Sequence, residues 1–192
     1  MKKNRELRAL ARTQLKGSWL EAIGVCLVYY VAVIAANIVP GIGPLIISGP
    51  LTLGLLGYFH LKAKGGNTLF ENLFDGFKQF SSGLVLNLLL FVFIFLWSLL
   101  LFIPGIIKCF SYSMSFFIVR DNPEIGAMAA ITKSRKMMKG HKGKLFGLCF
   151  SFIGWGFLCI LTFGIGFLWL YPYMISSLAN FYEDLKENQT TE

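Results

Sequence analysis

Six apolar blocks, each near the length of a bilayer-crossing helix, limit what this chain can fold into. About 20 apolar residues span the hydrocarbon core as a helix, with roughly 17 to 25 tolerated. Trp19 to Val39, Leu45 to Leu61 and Ser81 to Ile103 fit that length, and Ile106 to Val119 is shorter. Leu145 to Phe163 and Phe167 to Tyr182 complete the set. Barrel strands are half as long and alternate strictly, which these blocks do not. A soluble core could not bury so much: 55% of the 192 residues are hydrophobic and 15% charged, against roughly 25% charged in soluble domains. Beside such blocks, a net charge of +8 points to anionic headgroups on one leaflet rather than to nucleic acid.

The breaks between blocks share a chemistry. Pro40-Gly41-Ile42-Gly43-Pro44, Pro104-Gly105-Ile106 and Gly164-Ile165-Gly166 each place helix-breaking residues at a point of reversal. Three helical hairpins follow.

A segment with helical amphipathic spacing precedes each hairpin. From Asn4 to Lys16, Leu7, Leu10, Ala11 and Leu15 share an arc beside Arg5, Arg8, Arg12 and Lys16. From Thr68 to Phe80, Leu69, Phe70, Leu73, Phe74, Phe77 and Phe80 face away from Glu71, Asn72, Asp75, Lys78 and Gln79, and Thr68 with Glu71 reads as a capping box. From Pro123 to Gly140, Ala127, Ala130, Ile131, Ser134, Met137 and Met138 oppose Lys133, Arg135, Lys136 and Lys139, with Asn122 as cap and Pro123 at the first helical position. The chain reads as one membrane domain, 1–192, in which a pattern recurs at about 4–61, 68–119 and 123–185.

Charge sets the expected orientation. With both termini inside, every Lys and Arg except Lys108 is cytoplasmic, as the positive-inside rule requires. The basic stretch before the first block is long and no small-residue cleavage site follows, so that block reads as an uncleaved span rather than a signal peptide. The fold class expected is all-α: a polytopic membrane protein with six transmembrane helices in three hairpins, each preceded by a cytoplasmic amphipathic helix. The bacterial cytoplasmic membrane is the expected location.

Few residues carry chemistry. Glu21, Asn87 and Lys108 are the polar candidates within spans, where a charge costs about 2.5 to 3.5 kcal/mol. Glu21 is expected to pair with a basic residue such as Lys16, Lys108 to snorkel outward, Asn87 and Asn37 to bond between helices, and His60 to anchor at the interface. Cys26, Cys109, Cys149 and Cys159 lack disulfide or zinc spacing and read as small buried hydrophobes. No GxSxG, HExxH, phosphate loop or close pair of intramembrane carboxylates occurs, so neither an enzyme nor a cofactor is expected. Aromatics within spans, Tyr29, Tyr30, Trp97, Trp155 and Trp169, are expected to fill space between helices. Lys133, Arg135, Lys136, Lys139, His141, Lys142 and Lys144 gather just before the fifth block, where cations attract anionic lipid at about 1 kcal/mol each.

The runs IPGIIKCFSYSM (Ile103 to Met114), DNPEIGAMAAITKSRKMMKGHKGKLF (Asp121 to Phe146), SFIGW (Ser151 to Trp155), LTFGIGFLWLYPYM (Leu161 to Met174) and ANFYEDL (Ala179 to Leu185) resemble the bacterial integral-membrane family catalogued as domain of unknown function 975. The likeness is close over the last 90 or so residues and looser through SWLEAIG (Ser18 to Gly24) and FDGF (Phe74 to Phe77). It implies a multi-span protein, mostly of Gram-positive bacteria, with no assigned reaction and no catalytic residues to carry over.

The function expected is non-enzymatic binding at the cytoplasmic leaflet, of anionic lipid, a small amphipathic molecule or a partner membrane protein, a second copy included. The alternative is permeation of a small apolar or amphipathic substrate through the bundle. On the binding reading, replacing Lys133, Arg135, Lys136 and Lys139 by Gln weakens attachment to anionic liposomes, measured by flotation at low salt.

Overall fold

The computed structural model describes residues 2–38, 42–100 and 102–189, which form helices and turns with no strand among them. In chain order they are α1 (Asn4–Leu15), α2 (Trp19–Ala36), α3 (Ile42–Ala63), a 3₁₀ helix (Phe70–Gln79), α4 (Phe80–Leu100), α5 (Phe102–Tyr112), α6 (Ser115–Asp121), α7 (Ala127–Met137), α8 (Lys142–Phe150), α9 (Ile153–Leu161) and α10 (Phe167–Gln189). Four stretches are long and apolar enough to cross a membrane: Trp19–Ala36, Gly43–Ala63, Phe70–Leu99 and Lys142–Leu161.

The fourth and sixth expected spans differ from this. The block Ile106 to Val119 is broken after Tyr112, where the Ser113 hydroxyl turns back to the Phe110 carbonyl at 2.8 Å, and α6 then starts afresh. The 11 residues of α5 rise about 16 Å, roughly half the hydrocarbon thickness. The sixth block lies in α10, whose Ser176, Ser177 and Asn180 are buried in the protein, a composition too polar for a helix bathed in lipid.

Helix α3 is the hub, packing against α1, α2, α4, α6, α10 and the 3₁₀ helix. Apolar contact between helices gains little in lipid, so close van der Waals approach must hold them, and small residues permit it. A Cβ on Gly49 would lie 2.4 Å from the Gly83 carbonyl oxygen of α4, and one on Gly54 would lie 1.7 Å from the Leu73 carbonyl oxygen. From the other side, a Cβ on Gly76 would meet the Pro50 carbonyl oxygen at 1.9 Å. Asn87 adds a polar tie, donating to the Leu45 carbonyl at 3.1 Å and to Ser48 Oγ at 3.0 Å.

These contacts revise the second repeat. Thr68 to Phe80 is drawn onto α3 through Leu73 and Gly76, so it is part of the bundle rather than a free in-plane helix. Its cap is shifted by one residue, since the Asn72 side chain accepts from the Leu69 backbone N–H at 2.8 Å. Phe70, Phe74, Phe77 and Phe80 stay exposed as a ladder with centroids 6.4 to 6.5 Å apart. The third repeat starts later than Pro123: Asn122 closes α6, and α7 begins at Ala127. There Ala127, Ala130, Ile131, Ser134 and Met137 are buried, and Ser134 Oγ donates to the Ser111 carbonyl at 2.9 Å.

The turns divide three ways. Pro40 and Gly41 lie outside the described residues. Pro104 and Gly105 fall in the first turn of α5 rather than at the reversal, and Gly105 sits where a Cβ would reach Ser98 Oγ at 2.5 Å, which lets α4 and α5 close. Between α9 and α10, Phe163 and Gly164 take φ of 53° and 86°. The Gly164 and Phe163 N–H groups then bond the Cys159 and Ile160 carbonyls, a Schellman closure with an aromatic residue in the left-handed position. Among the cysteines, Cys26 and Cys159 are buried, whereas Cys109 and Cys149 are exposed, because α5 and α8 present those faces outward.

Gly76→Ala and Gly54→Ala are each expected to cost about 2 to 3 kcal/mol by overpacking, a fall of roughly 5 °C or more in Tm for a chain of this size. Gly154→Ala, with open space around it, leaves Tm unchanged. Thermal unfolding in detergent micelles checks all three.

Candidate functional site

Two stripes face one another across the last hairpin. On α9 and the turn after it, Trp155, Leu158, Cys159 and Thr162 recur at helical i, i+3, i+4, i+7 spacing, and Gly166, Trp169, Leu170 and Tyr173 do the same leading into α10. Together with Trp19 of α2 and Arg12 of α1 they line an open groove of about 510 Å3. Its walls are apolar, three of the four tryptophans of the chain stand in them, and Arg12 is the one formal charge among the lining residues. The Arg12 guanidinium lies 5.8 Å from the Tyr173 ring centroid, which aims it at the groove. At the opposite end Thr162 Oγ1 donates to the Cys159 carbonyl at 2.8 Å and accepts from the Gly166 N–H at 3.0 Å, so the turn is satisfied internally. A long apolar slot with a cation at one end has the shape of a site for an amphiphile.

The walls are fixed by polar ties outside the groove. Asp184, buried on α10, accepts from the Lys2 backbone N–H at 2.9 Å and from Lys144 Nζ at 3.2 Å, joining the start of α1 and α8 to α10. The Gln14 and Asn180 amides bond reciprocally at 2.9 and 2.7 Å. A third tie sits where α3, α6 and α10 meet. There Asp121 binds His60 Nε2 at 2.8 Å, the Tyr182 hydroxyl at 3.0 Å, Lys64 Nζ at 3.1 Å and the Lys186 ammonium. His60 Nδ1 lies 3.1 Å from Glu183 Oε1, within ion-pair range but out of line for a hydrogen bond. His60, Asp121 and Glu183 bring three ligand atoms within 4.8 Å, but Lys64 and Lys186 already hold the carboxylates and would repel a divalent cation. The cluster is an ion-pair network, and His60 is buried inside it rather than anchored at an interface.

Burial alone pushes the Asp121 carboxyl up, but its hydrogen bonds with His60, Lys186 and Lys64 prevail and hold it well below the usual carboxylate range. The same contact raises the Lys186 ammonium.

The residues singled out in the sequence are dispersed. Lys133 and Lys136 flank an open groove with Met128 and Thr132. Arg135 turns the other way, into a cavity it shares with Lys108, so two cations expected on opposite faces of the membrane line one space. Lys144 is engaged by Asp184. For Lys139, His141 and Lys142 the structure shows no side-chain ion pair among the described residues. Glu21 faces Lys62, not Lys16, across a polar pocket of about 330 Å3. Asn37 bonds within its own helix, to the Val33 carbonyl at 2.9 Å. Trp155 and Trp169 are half-exposed walls of the groove rather than filler between helices.

Since the folded Asp121 carboxyl is depressed below its unfolded value near 3.9, its contribution is present above that pH and is lost as pH falls further. Tm is therefore expected to hold from pH 7 to 5 and to drop below about pH 4. Asp121→Asn costs about 3 kcal/mol at neutral pH and flattens the acid limb, as thermal melts across pH would record.

No curated protein and no solved structure matches the chain. One family model, described as "Protein of unknown function (DUF975)", matches over residues 1–109 and 99–189. Its two matches run nearly end to end, and the chain belongs to that family.

Proposed function

We propose that this protein binds an anionic amphiphile of the cytoplasmic leaflet, with the apolar tail in the groove between α2, α9 and α10 and the headgroup against Arg12. The observation that carries this reading is the pairing of an apolar 510 Å3 slot with a single guanidinium at its end. Arginine suits the role because its planar fork donates two parallel hydrogen bonds to a phosphate or carboxylate. The tail gains about 0.8 kcal/mol per buried methylene only relative to water; between bilayer and groove it gains little, so the headgroup contact decides selectivity.

The membrane setting proposed with it is a three-hairpin bundle of six helices in the bacterial cytoplasmic membrane. Four stretches cross, α5 continued by α6 and then α10 return the chain in the second and third hairpins, and both termini with α1 and α7 lie at the cytoplasmic face. Support comes from the asymmetry of Lys and Arg along the chain and from the four apolar stretches. No reaction is assigned, and the protein acts by holding or presenting its ligand, alone or with a membrane partner.

The test uses the tryptophans as reporters. In phosphatidylcholine nanodiscs, phosphatidylglycerol brominated on its acyl chains and present as a minor component is expected to quench tryptophan emission more than equally brominated phosphatidylcholine. Arg12→Gln abolishes the difference. Equal quenching by the two headgroups in the wild-type protein would sink the reading, and Arg12-independent passage of an amphipathic dye across reconstituted vesicles would favour permeation instead.

A further inference from the structure

Away from the groove, a second cavity of about 240 Å3 lies between the α4–α5 hairpin and α7, lined by Phe93, Trp97, Lys108, Tyr112, Met128, Ile131, Thr132 and Arg135. Its polar members are all hydrogen-bond donors: an ammonium, a guanidinium and two hydroxyls. No carboxylate lines it. Neither Lys108 nor Arg135 joins an ion pair with a described carboxylate, whereas Lys64, Arg120, Lys144 and Lys186 all do. Lys108 instead rests its ammonium 4.1 Å from the centroid of Trp97. That contact is worth about 0.5 to 2 kcal/mol and leaves the half-buried ammonium without a counter-ion, while the Arg135 side chain is exposed at the cavity mouth. Two cations without a carboxylate partner, two hydroxyls without a partner among the described residues and an apolar rim suit an anion.

We propose that this cavity binds a phosphate group, Lys108 and Arg135 neutralising its charge while Thr132 and Tyr112 donate to its remaining oxygens. Phosphate fits better than carboxylate because the donors come from two walls, α5 and α7, and a tetrahedral anion offers acceptors to both. The volume admits a headgroup or a small phosphate ester and excludes an acyl chain. This site is independent of the Arg12 groove. Its occupation would draw Lys108 off Trp97 and tie α7 to the α4–α5 hairpin, so ligand and hairpin packing are coupled.

The experiment measures equilibrium binding of radiolabelled inorganic phosphate to the full chain in a phosphorus-free detergent. Saturable binding is expected, weakened about tenfold or more by Lys108→Gln and by Arg135→Gln and unchanged by Lys16→Gln, at an exposed lysine that lines neither cavity. Lys108→Arg and Arg135→Lys, which keep the charge, retain most of it and guard against a loss that reflects misfolding. Competition by phosphatidylglycerol but not phosphatidylcholine identifies the ligand as a lipid headgroup. Competition by glycerol 3-phosphate alone identifies a soluble ester. Absence of saturable binding, or wild-type binding by the Lys108→Gln/Arg135→Gln double variant, overturns the proposal. A failure of the Arg12 groove in the quenching assay leaves this outcome untouched.

Discussion

Close backbone approach along α3 is the constraint on which the rest of the structure depends. Lipid tails are as apolar as leucine, so hydrophobic burial that would assemble a soluble bundle contributes little between membrane helices. Contact distance contributes instead. Gly49 admits α4, Gly54 admits the 3₁₀ helix, and Gly57 leaves room for Arg120 at the end of α6. Each glycine serves a different neighbour, and α3 thereby fixes three elements at once. Placing Arg120 there also places Asp121 against His60, so the packing of the bundle and the ion cluster at its end are consequences of one set of small residues.

Polar contacts then decide what is held firmly. Lys2–Glu187 and Lys78–Asp75 have exposed lysines, and pairs of that kind contribute about 0 to 1 kcal/mol. Asp121 and Asp184 are different, since Asp184 is buried, Asp121 is largely covered, and each gathers several donors from separate helices. Removing a partner there leaves a largely desolvated carboxylate with one donor fewer. These ties fasten α1, α3, α6, α8 and α10 to one another. Helix α9 lies beyond them and packs mainly on α10, which is why a gap opens on its inner side. The groove is the space left where the polar network stops.

Much of the fold could be read from residue order, and less of the site. The buried arc of α7 follows directly from helical spacing of Ala127, Ala130, Ile131, Ser134 and Met137. The matched stripes on α9 and α10 were present in the same periodicity, but nothing in it shows which helix supplies the facing wall. Arg12 and Trp19 come from a segment more than a hundred residues away. His60 reads in sequence as an interfacial anchor because it stands at the end of the second apolar block; its actual partners, Asp121 and Glu183, arrive from two other helices. The dense run from Lys133 to Lys144 suggested one cationic surface. A helix of 100° per residue sends Lys133 and Arg135 to different faces, and tertiary contacts use them separately.

Residue order by itself determined that the described chain is helical, that four stretches are long and apolar enough to cross a membrane, and where α9 turns into α10, because those follow from local apolar length and from the backbone limits of Gly and Pro. Tertiary structure alone decided that α5 is only half a span, that Lys108 and Arg135 share a cavity, and that Arg12 closes a groove between helices remote in sequence. Such outcomes depend on which surfaces meet, and a meeting of surfaces is a property of distances that no single segment encodes.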